Sequence, residues 1–147
     1  MFEDVLVRDW MTHPVYTASP RTPIAEAYKI MKDKAIRRLP VMNDGLIVGI
    51  VTLGDVREAS PSDATTLSIW ELNYLWSQLT VEKIMTTTVF TLQPDEPILN
   101  AAELMLKHKI SGLPVVDNNV LVGVVTEWDI FRMLTRSRHT TNTTSLS

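Results

Sequence analysis

The chain has 147 residues, of which 45% are hydrophobic and 21% charged, as in an ordinary globular domain. It has no cysteine, which excludes disulfides, thiolate metal sites and cysteine nucleophiles, and its formal net charge of -3 gives no general attraction for nucleic acid. No apolar run approaches the roughly 18 residues that span a bilayer. The acidic start has neither the basic nor the apolar segment of a signal peptide, so we expect a cytoplasmic protein without a membrane contact.

An internal repeat is the most informative feature of the sequence. The run from Trp10 to Asp55 returns 74 residues later without an insertion or a deletion, and 18 positions are identical when residues 9–57 are aligned with residues 83–131. A fixed period of this length is typical of duplicated structural units that pack on each other. We therefore expect function at the seam between the two copies.

The first half of the first copy predicts a strand followed by a helix. Val15–Thr17 has the alternating, β-rich pattern of a short strand, which Ser19 and Pro20 then end. Thr22 is the expected N-cap of the next helix, with Pro23 in its first turn. The helical stripe that should face a core consists of Ile24, Ala27, Tyr28 and Met31.

The second half of the first copy predicts a hairpin and a closing helix. Residues 38–42 form the expected second strand, residues 43–45 are a turn signal, and residues 46–51 are so apolar that we expect a third strand buried on both faces. A helix should begin near Thr52. The second copy repeats this order up to a helix near Thr126, so each copy is predicted to be a β-α-β-β-α unit.

Residues between and after the copies have different patterns. A connecting helix is predicted over 66–79, with an apolar stripe at Ile69, Leu72, Trp76 and Leu79 and further apolar residues on other faces. So much apolar surface needs cover, either entirely within its own fold or partly from a second subunit. Residues 136–147 are polar and lack periodicity, so we predict a mobile tail.

The two copies resemble a tandem pair of CBS domains, also called a Bateman module. The resemblance is carried by the repeated Met-Thr opening, the Leu-Pro-Val strand and the endings Gly49–Asp55 and Gly123–Asp129. It implies an α+β fold of two β-α-β-β-α repeats packed as a pseudo-two-fold pair, with an additional helix between them. The expected boundaries are CBS domain 1 over 5–59, a helical connector over 60–81, CBS domain 2 over 82–135 and the tail over 136–147.

The Thr-x-x-Asp endings allow two interpretations. Thr52 with Asp55, and Thr126 with Asp129, match the capping box that starts a helix. The resemblance implies that the acid also accepts hydrogen bonds from ribose hydroxyls and that the threonine lies near the ribose or phosphate. Capping and binding are compatible, and we expect ribose contact at Asp55 more than at Asp129.

Basic residues distinguish the two copies just before the Leu-Pro-Val strand. The first copy has Arg37 and Arg38 where the second has Ser111 and Gly112. Guanidinium groups suit phosphate because they offer paired charged donors. Arg38, helped by Arg37, is therefore a candidate phosphate ligand, and the alternative is a solvated strand edge or an ion pair.

Two threonines and one tryptophan complete the candidate residues. Thr17 and Thr91 lie where the resemblance places ligand-lining groups, although each equally fits an ordinary strand position. Trp128 replaces Gly54 in the second ending, where it suits base stacking, a subunit contact or a half-buried surface position. The scattered histidines do not suggest a metal site.

The leading functional hypothesis is a stand-alone regulatory module. It binds an adenine nucleotide (AMP, ADP or ATP) or S-adenosylmethionine in clefts between the repeats, requires no cofactor, and signals through the geometry of a homodimer to an unknown effector protein. The alternative is a ligand-free dimerisation scaffold with decayed pockets. Catalysis is not expected, because the sequence has no P-loop and no credible pair of nucleophile and base. Nucleic acid binding is a minor possibility that rests on a few arginines.

Overall fold

The computed structural model describes residues 2–59 and 69–146, without the side chains of residues 69, 70, 72, 73, 75 and 137–146. Helices and strands alternate along these ranges, which confirms the α+β class. The helices are α1 (Val7–Trp10), α2 (Ile24–Asp33), α3 (Leu53–Ala59), α4 (Ile69–Gln78), α5 (Ile98–His108) and α6 (Glu127–Leu146), with a short 3-10 helix at Val81–Lys83. The strands are β1 (Arg38–Asn43), β2 (Leu46–Thr52), β3 (Gly112–Asp117) and β4 (Val120–Thr126).

The predicted hairpins are confirmed, and they are alike in both copies. β1 pairs antiparallel with β2, and β3 pairs antiparallel with β4, each through a two-residue turn. Asp44 and Gly45 have positive φ of 52° and 79°, and Asn118 and Asn119 have 49° and 67°. Positive φ at both central residues is the geometry of a type I′ turn, which asparagine, aspartate and glycine adopt at low cost.

The predicted first strand of each copy is reduced to one pairing residue. Ala18, just after the predicted strand Val15–Thr17, donates its N–H to Pro40 O at 3.0 Å and accepts from Met42 N at 2.8 Å. Leu92 makes the equivalent parallel bridge to Val115. Proline at positions 14 and 20 lacks the N–H that a longer ladder would need, so the first segment stays irregular around this bridge.

Two local predictions in the first copy need correction. Pro23, not Thr22, occupies the N-cap position of α2, and the Thr22 hydroxyl instead accepts the N–H of Ser19 at 2.9 Å. β2 is not buried on both faces, because Leu46 is 56% exposed and only Gly49 and Val51 are fully buried. The predicted stripe of α2 does face the core through Ile24, Ala27 and Met31.

The structure divides the chain into two compact units, and each unit combines segments from both sequence repeats. The first-repeat unit consists of residues 16–89, and the second-repeat unit consists of the residues up to 15 together with those from 90 onward. The sequence-based boundaries 5–59 and 82–135 instead treat each repeat as one continuous stretch. The difference arises because the Met-Thr opening of each repeat lies in the unit of the other repeat.

The opening segments, residues 7–12 and 81–86, each complete the edge of a two-stranded sheet. Thr86 exchanges backbone hydrogen bonds of 2.9 and 2.8 Å with Ile50 on β2, and Thr12 exchanges bonds of 2.8 and 3.0 Å with Val124 on β4. Each opening segment also begins with a fully buried valine. Val81 belongs to the core of the first-repeat unit and Val7 to that of the second-repeat unit. The openings are therefore structural parts of the units they enter.

Glycine makes room for each opening. An added Cβ at Gly49 would lie 2.7 Å from Met85 Sδ and 2.9 Å from the backbone oxygen of Thr86. An added Cβ at Gly123 would lie 2.6 Å from Met11 Sδ. Real side chains essentially never approach so closely. The Met-Thr pair can therefore pack at these positions only because glycine has no side chain.

The connecting helix α4 belongs to the first-repeat unit and packs against α2. Its Trp76 ring lies 5.6 Å from the ring of Tyr28, while Tyr74 is 64% exposed. Of the predicted stripe, the side chains of Ile69 and Leu72 lie outside the described part of the chain, as do residues 66–68 of the predicted helix.

The final helix α6 continues to Leu146. The backbone is therefore helical over residues 136–146, where the sequence pattern predicts a mobile tail, and its mobility stays a prediction. Within the described ranges, no helix is both long and apolar enough to cross a lipid bilayer.

Candidate functional site

The candidate site of the first-repeat unit lies where β2 ends and α3 begins. Thr52 donates its backbone N–H to Asp55 Oδ2 at 2.9 Å, and Asp55 donates its backbone N–H to Thr52 Oγ1 at 3.1 Å. This reciprocal pair is a capping box, so the structural interpretation of the motif is confirmed. It occupies one carboxylate oxygen of Asp55, and no described residue donates a hydrogen bond to the other oxygen, Oδ1.

The register of the sheet brings the other predicted residues of the first copy to the same end. Arg38 stands directly opposite Thr52 in the β1–β2 ladder, and the carbonyl of Arg37 accepts the N–H of Leu53 at 2.8 Å. Thr17 precedes the bridging residue Ala18, whose partner strand β1 runs parallel to it, so Thr17 lies toward the Arg38 end. Residues with hydroxyl, carboxylate and guanidinium groups thus occur at one end of one sheet.

The side chains at this end differ in their accessibility. Thr17 and Arg37 are exposed, whereas Arg38, Thr52 and Asp55 are half-buried. Arg38 already takes part in another interaction within the chain. The Arg37 side chain has no partner among the described residues.

The equivalent junction of the second-repeat unit joins β4 to α6 and has a different carboxylate environment. Asp129 is fully buried. Its Oδ2 accepts the backbone N–H of Thr126 at 2.9 Å and the Thr126 hydroxyl at 3.3 Å. Its Oδ1 accepts the hydroxyl of Thr12 at 2.9 Å and a guanidinium N–H of Arg132 at 2.7 Å. Both oxygens of Asp129 are therefore occupied by protein donors.

The Trp10 ring lies near the cation that is bonded to Asp129. The Arg132 guanidinium lies 5.6 Å from the centre of the Trp10 ring, and that of Arg136 lies 5.7 Å from the same ring. Trp10 and Thr12 both come from the opening segment, so this segment supplies two contacts to the junction. We refer to Trp10, Thr12, Asp129 and Arg132 together as the Arg132 cluster.

The first copy lacks this cluster. At the positions equivalent to Trp10 and Arg132, it has Ile84 and the exposed acid Glu58. Thr86 is equivalent to Thr12, but its hydroxyl makes no hydrogen bond to Asp55 among the described residues. The sequence motif identifies both aspartates but misses Arg132 and Thr12. The sequence does contain a signal for Arg132. Three positions after the motif aspartate, the second copy has the base Arg132, whereas the first copy has the acid Glu58.

The remaining predicted residues of the second copy lie at the corresponding sheet end. Gly112 stands opposite Thr126 in the β3–β4 ladder, and Ser111 O accepts the N–H of Glu127 at 3.1 Å. Thr91 is exposed beside the bridging residue Leu92. Trp128 is 69% exposed, so it is not half-buried as one of its three interpretations predicts. Across the described residues, no group of three or more His, Cys, Asp or Glu is placed to hold a metal ion.

Comparison with known protein families identifies both copies. The sequence model of the CBS domain matches residues 7–62 and 81–136. The chain is 40% identical over 130 residues to homoserine O-acetyltransferase of Methanococcoides burtonii, in an alignment that covers 87% of this chain and 24% of that enzyme. The chain therefore spans about a quarter of the length of this curated relative.

Solved structures of CBS domain pairs have the same fold. The pair of protein MJ0100, in complex with 5′-methylthioadenosine and S-adenosyl-L-methionine, has a TM-score of 0.75 and 36% sequence identity, with coverage of 90% of this chain and 98% of that chain. CBSX2 in complex with AMP has a TM-score of 0.74 and 27% identity, with coverage of 89% and 97%. The ligands in both structures contain an adenosyl group.

Proposed function

The chain belongs to the CBS domain family, and from this premise we propose that it is a regulatory module that binds an adenosyl ligand at the Thr52–Asp55 junction. The candidates are AMP, ADP, ATP and S-adenosylmethionine. The proposal is supported by the complexes of MJ0100 and CBSX2, which pair a similar fold with S-adenosylmethionine, 5′-methylthioadenosine or AMP.

The observation that carries the proposal is the second carboxylate oxygen of Asp55. Oδ2 of this half-buried side chain is used by the capping box. No described residue donates a hydrogen bond to Oδ1. A ribose presents neighbouring hydroxyl donors, and hydrogen bonds from a hydroxyl to a carboxylate are short and strong. Asp55 can therefore cap α3 and bind ribose at the same time.

Charge favours a phosphorylated ligand at this junction. In our proposal Arg38, which stands opposite Thr52, binds phosphate with Arg37 as a helper, and Thr17 lines the same end of the sheet. At the second junction Thr91, Thr126 and Asp129 lack an equivalent cation before the strand, since Ser111 and Gly112 stand there. We therefore propose that the second junction has the lower affinity for nucleotide.

Regulation would proceed through a homodimer and an effector protein. A ligand can shift the geometry of a dimer only if it binds the two geometries with different free energies. Exposed apolar side chains of α5 and α6 are candidates for the dimer contact: Leu99, Leu106, Trp128, Phe131 and Leu134. We propose no catalytic step for this chain, because it aligns with only about a quarter of the longer enzyme to which it is similar.

A ligand-free dimerisation scaffold is the second candidate function. It is favoured by the environment of Asp129, whose two carboxylate oxygens are both bonded to protein donors. A scaffold would dimerise without binding any adenosyl compound. The two functions therefore differ in a single measurable property.

Calorimetric titration tests the proposal. The purified, nucleotide-stripped protein is titrated with AMP, ATP, adenosine and S-adenosylmethionine, in parallel with Asp55→Ala and Asp55→Asn. We expect saturable binding of at least one compound and a loss of roughly tenfold or more in both variants, because each removes an acceptor for the ribose hydroxyls. Asp55→Asn is the matched control for folding, since its amide oxygen can still accept the N–H of Thr52.

Three outcomes are informative. Binding that is lost in Asp55→Asn at an unchanged melting temperature supports ribose recognition by Asp55. Unchanged affinity in both variants refutes the assignment of Asp55. A folded dimer that binds none of the four compounds supports the scaffold.

A further inference from the structure

We infer that Arg132 closes the second junction to ligand, so that the chain binds one adenosyl ligand, at the first repeat. This inference rests on the proposed function, because it takes Asp55 as the open counterpart of Asp129. It adds a residue outside the shared motif that decides which copy of the motif is able to bind.

The closure follows from the hydrogen bonds of Asp129. A ribose would need carboxylate oxygen Oδ1, since Oδ2 is used by Thr126 in the same way that Asp55 Oδ2 is used by Thr52. At Asp129, Oδ1 is already bonded to the Thr12 hydroxyl at 2.9 Å and to the Arg132 guanidinium at 2.7 Å. A ligand would therefore have to replace one protein donor or both.

Replacing the arginine is unfavourable because Asp129 is fully buried. A buried carboxylate that loses its cation is left with an uncompensated charge, which is strongly destabilising. A neutral ribose hydroxyl restores a hydrogen bond but not the charge. Arg132 is itself 46% exposed, yet its guanidinium contacts both the carboxylate and the Trp10 ring. The contact is therefore short, charged and supported from a second side.

Comparison of the two copies within this chain shows what the closure requires. Both openings carry a threonine, but in the described part of the chain only the Thr12 hydroxyl bonds to the aspartate of its junction. In addition, the first copy has Glu58 in place of Arg132 and Ile84 in place of Trp10. An acid at position 58 cannot donate to Asp55, and Oδ1 of Asp55 has no described donor. The closed junction thus differs from the open one in Arg132, in the Trp10 ring that contacts it and in the Thr12 hydroxyl bond.

The test is the binding stoichiometry of Arg132→Gln. Wild-type protein, Arg132→Gln and the double variant Arg132→Gln/Asp129→Asn are titrated separately with AMP and with S-adenosylmethionine. We expect about one equivalent per chain for the wild type, about two for Arg132→Gln, and about one again for the double variant. Arg136→Gln is the matched control, because Arg136 lies over the same Trp10 ring but does not bond to Asp129.

Other stoichiometries separate this inference from the proposed function. Two equivalents for the wild type, with one lost in Arg132→Gln or in the double variant, would overturn the closure while leaving the proposed function intact. One equivalent for a folded Arg132→Gln would also overturn it. If only Arg132→Gln binds, the closure stands and the first-repeat assignment fails. If neither protein binds either compound, both fail.

A reciprocal variant covers the case in which Arg132→Gln does not fold. Glu58→Arg places a guanidinium at the matching position of the first repeat, on an exposed residue that should tolerate it. The probe is adenosine, which has no phosphate for the added cation to attract. We expect adenosine affinity to fall roughly tenfold as the introduced guanidinium competes for Asp55, whereas Glu58→Gln should change it little. Equal affinity in both variants would overturn the inference.

Discussion

Asp55 and Asp129 occupy the same position of the repeat and each accept a backbone hydrogen bond at the start of a helix, but they have different surroundings. Each accepts the N–H of the threonine three residues earlier. Asp129 is also bonded to Arg132 and Thr12, which leaves neither of its oxygens for another donor. At the scale of single residues, the motif therefore specifies a cap, and the neighbours outside the motif determine whether a ligand can also bind.

Arg38→Ala tests the charge at the first junction. If Arg38 binds phosphate, the affinity for ATP should fall roughly tenfold or more while the affinity for adenosine stays nearly unchanged, since only ATP carries the group that the guanidinium contacts. Calorimetry with both ligands measures the difference. Arg21→Ala, which removes an exposed arginine of the same unit, is the control. Equal losses for ATP and adenosine would mean that Arg38 acts through the fold.

At the scale of elements, the two opening segments are fixed by close packing on glycine. Thr86 pairs with β2 and Met85 lies over Gly49, while Thr12 pairs with β4 and Met11 lies over Gly123. The obstacle at Gly49 includes a backbone oxygen, whereas at Gly123 it is the Met11 side chain. The contact at Gly49 is therefore less able than the contact at Gly123 to rearrange around an added methyl group.

Gly49→Ala should displace an opening segment and lower the free energy of unfolding. We expect a loss of about 1–3 kcal/mol, because the added methyl group overlaps the Thr86 backbone and the segment must move. Urea denaturation measures the change. Gly54→Ala is the control in the same unit, since its Cβ meets only Thr52 Oγ1 at 3.6 Å, and it should be neutral or slightly stabilising. Similar losses in both variants would contradict the proposed packing.

The sequence predicts those elements whose local pattern decides their structure. The hairpins follow from turn residues that adopt positive φ, and α2 and α5 follow from their helical stripes. The strand predicted at Val15–Thr17 fails because pairing depends on the distant β1, which meets only Ala18. The contact of Thr12 with Asp129 joins residues 117 positions apart, and no local pattern reports such a distance. The capping half of the site was thus predictable, but its closure in the second copy was not.

At the scale of the whole molecule, the compact units do not coincide with the sequence repeats. The first-repeat unit takes Val81, Met85 and Thr86 from beyond the first repeat, and the second-repeat unit takes Val7, Met11 and Thr12 from before the second. α4 also belongs to the first-repeat unit, where Trp76 lies against Tyr28. Cutting the chain at the sequence boundary therefore removes parts of a core and of a sheet edge.

Two fragments of the chain test this division. Residues 16–89 contain all the segments of the first-repeat unit and should unfold cooperatively as an independent domain. Residues 5–59 contain the matching sequence repeat but lack Val81 and Thr86. As a dilute monomer this fragment should be largely unfolded, because small domains are only marginally stable. Circular dichroism with urea titration distinguishes the two. A stable, cooperative monomer of residues 5–59 would contradict the division.

The crossed openings also bear on how such a chain arose. A single ancestral repeat with its own Met-Thr opening would present a sheet edge that it did not cover and a segment that it did not use. Two identical copies would satisfy both needs by trading segments, as in a domain-swapped dimer. Joining two such copies in one chain turns an exchange between molecules into one within a single polypeptide. Because partners joined in one chain need not be identical, the same position of the repeat can be Arg132 in one copy and Glu58 in the other.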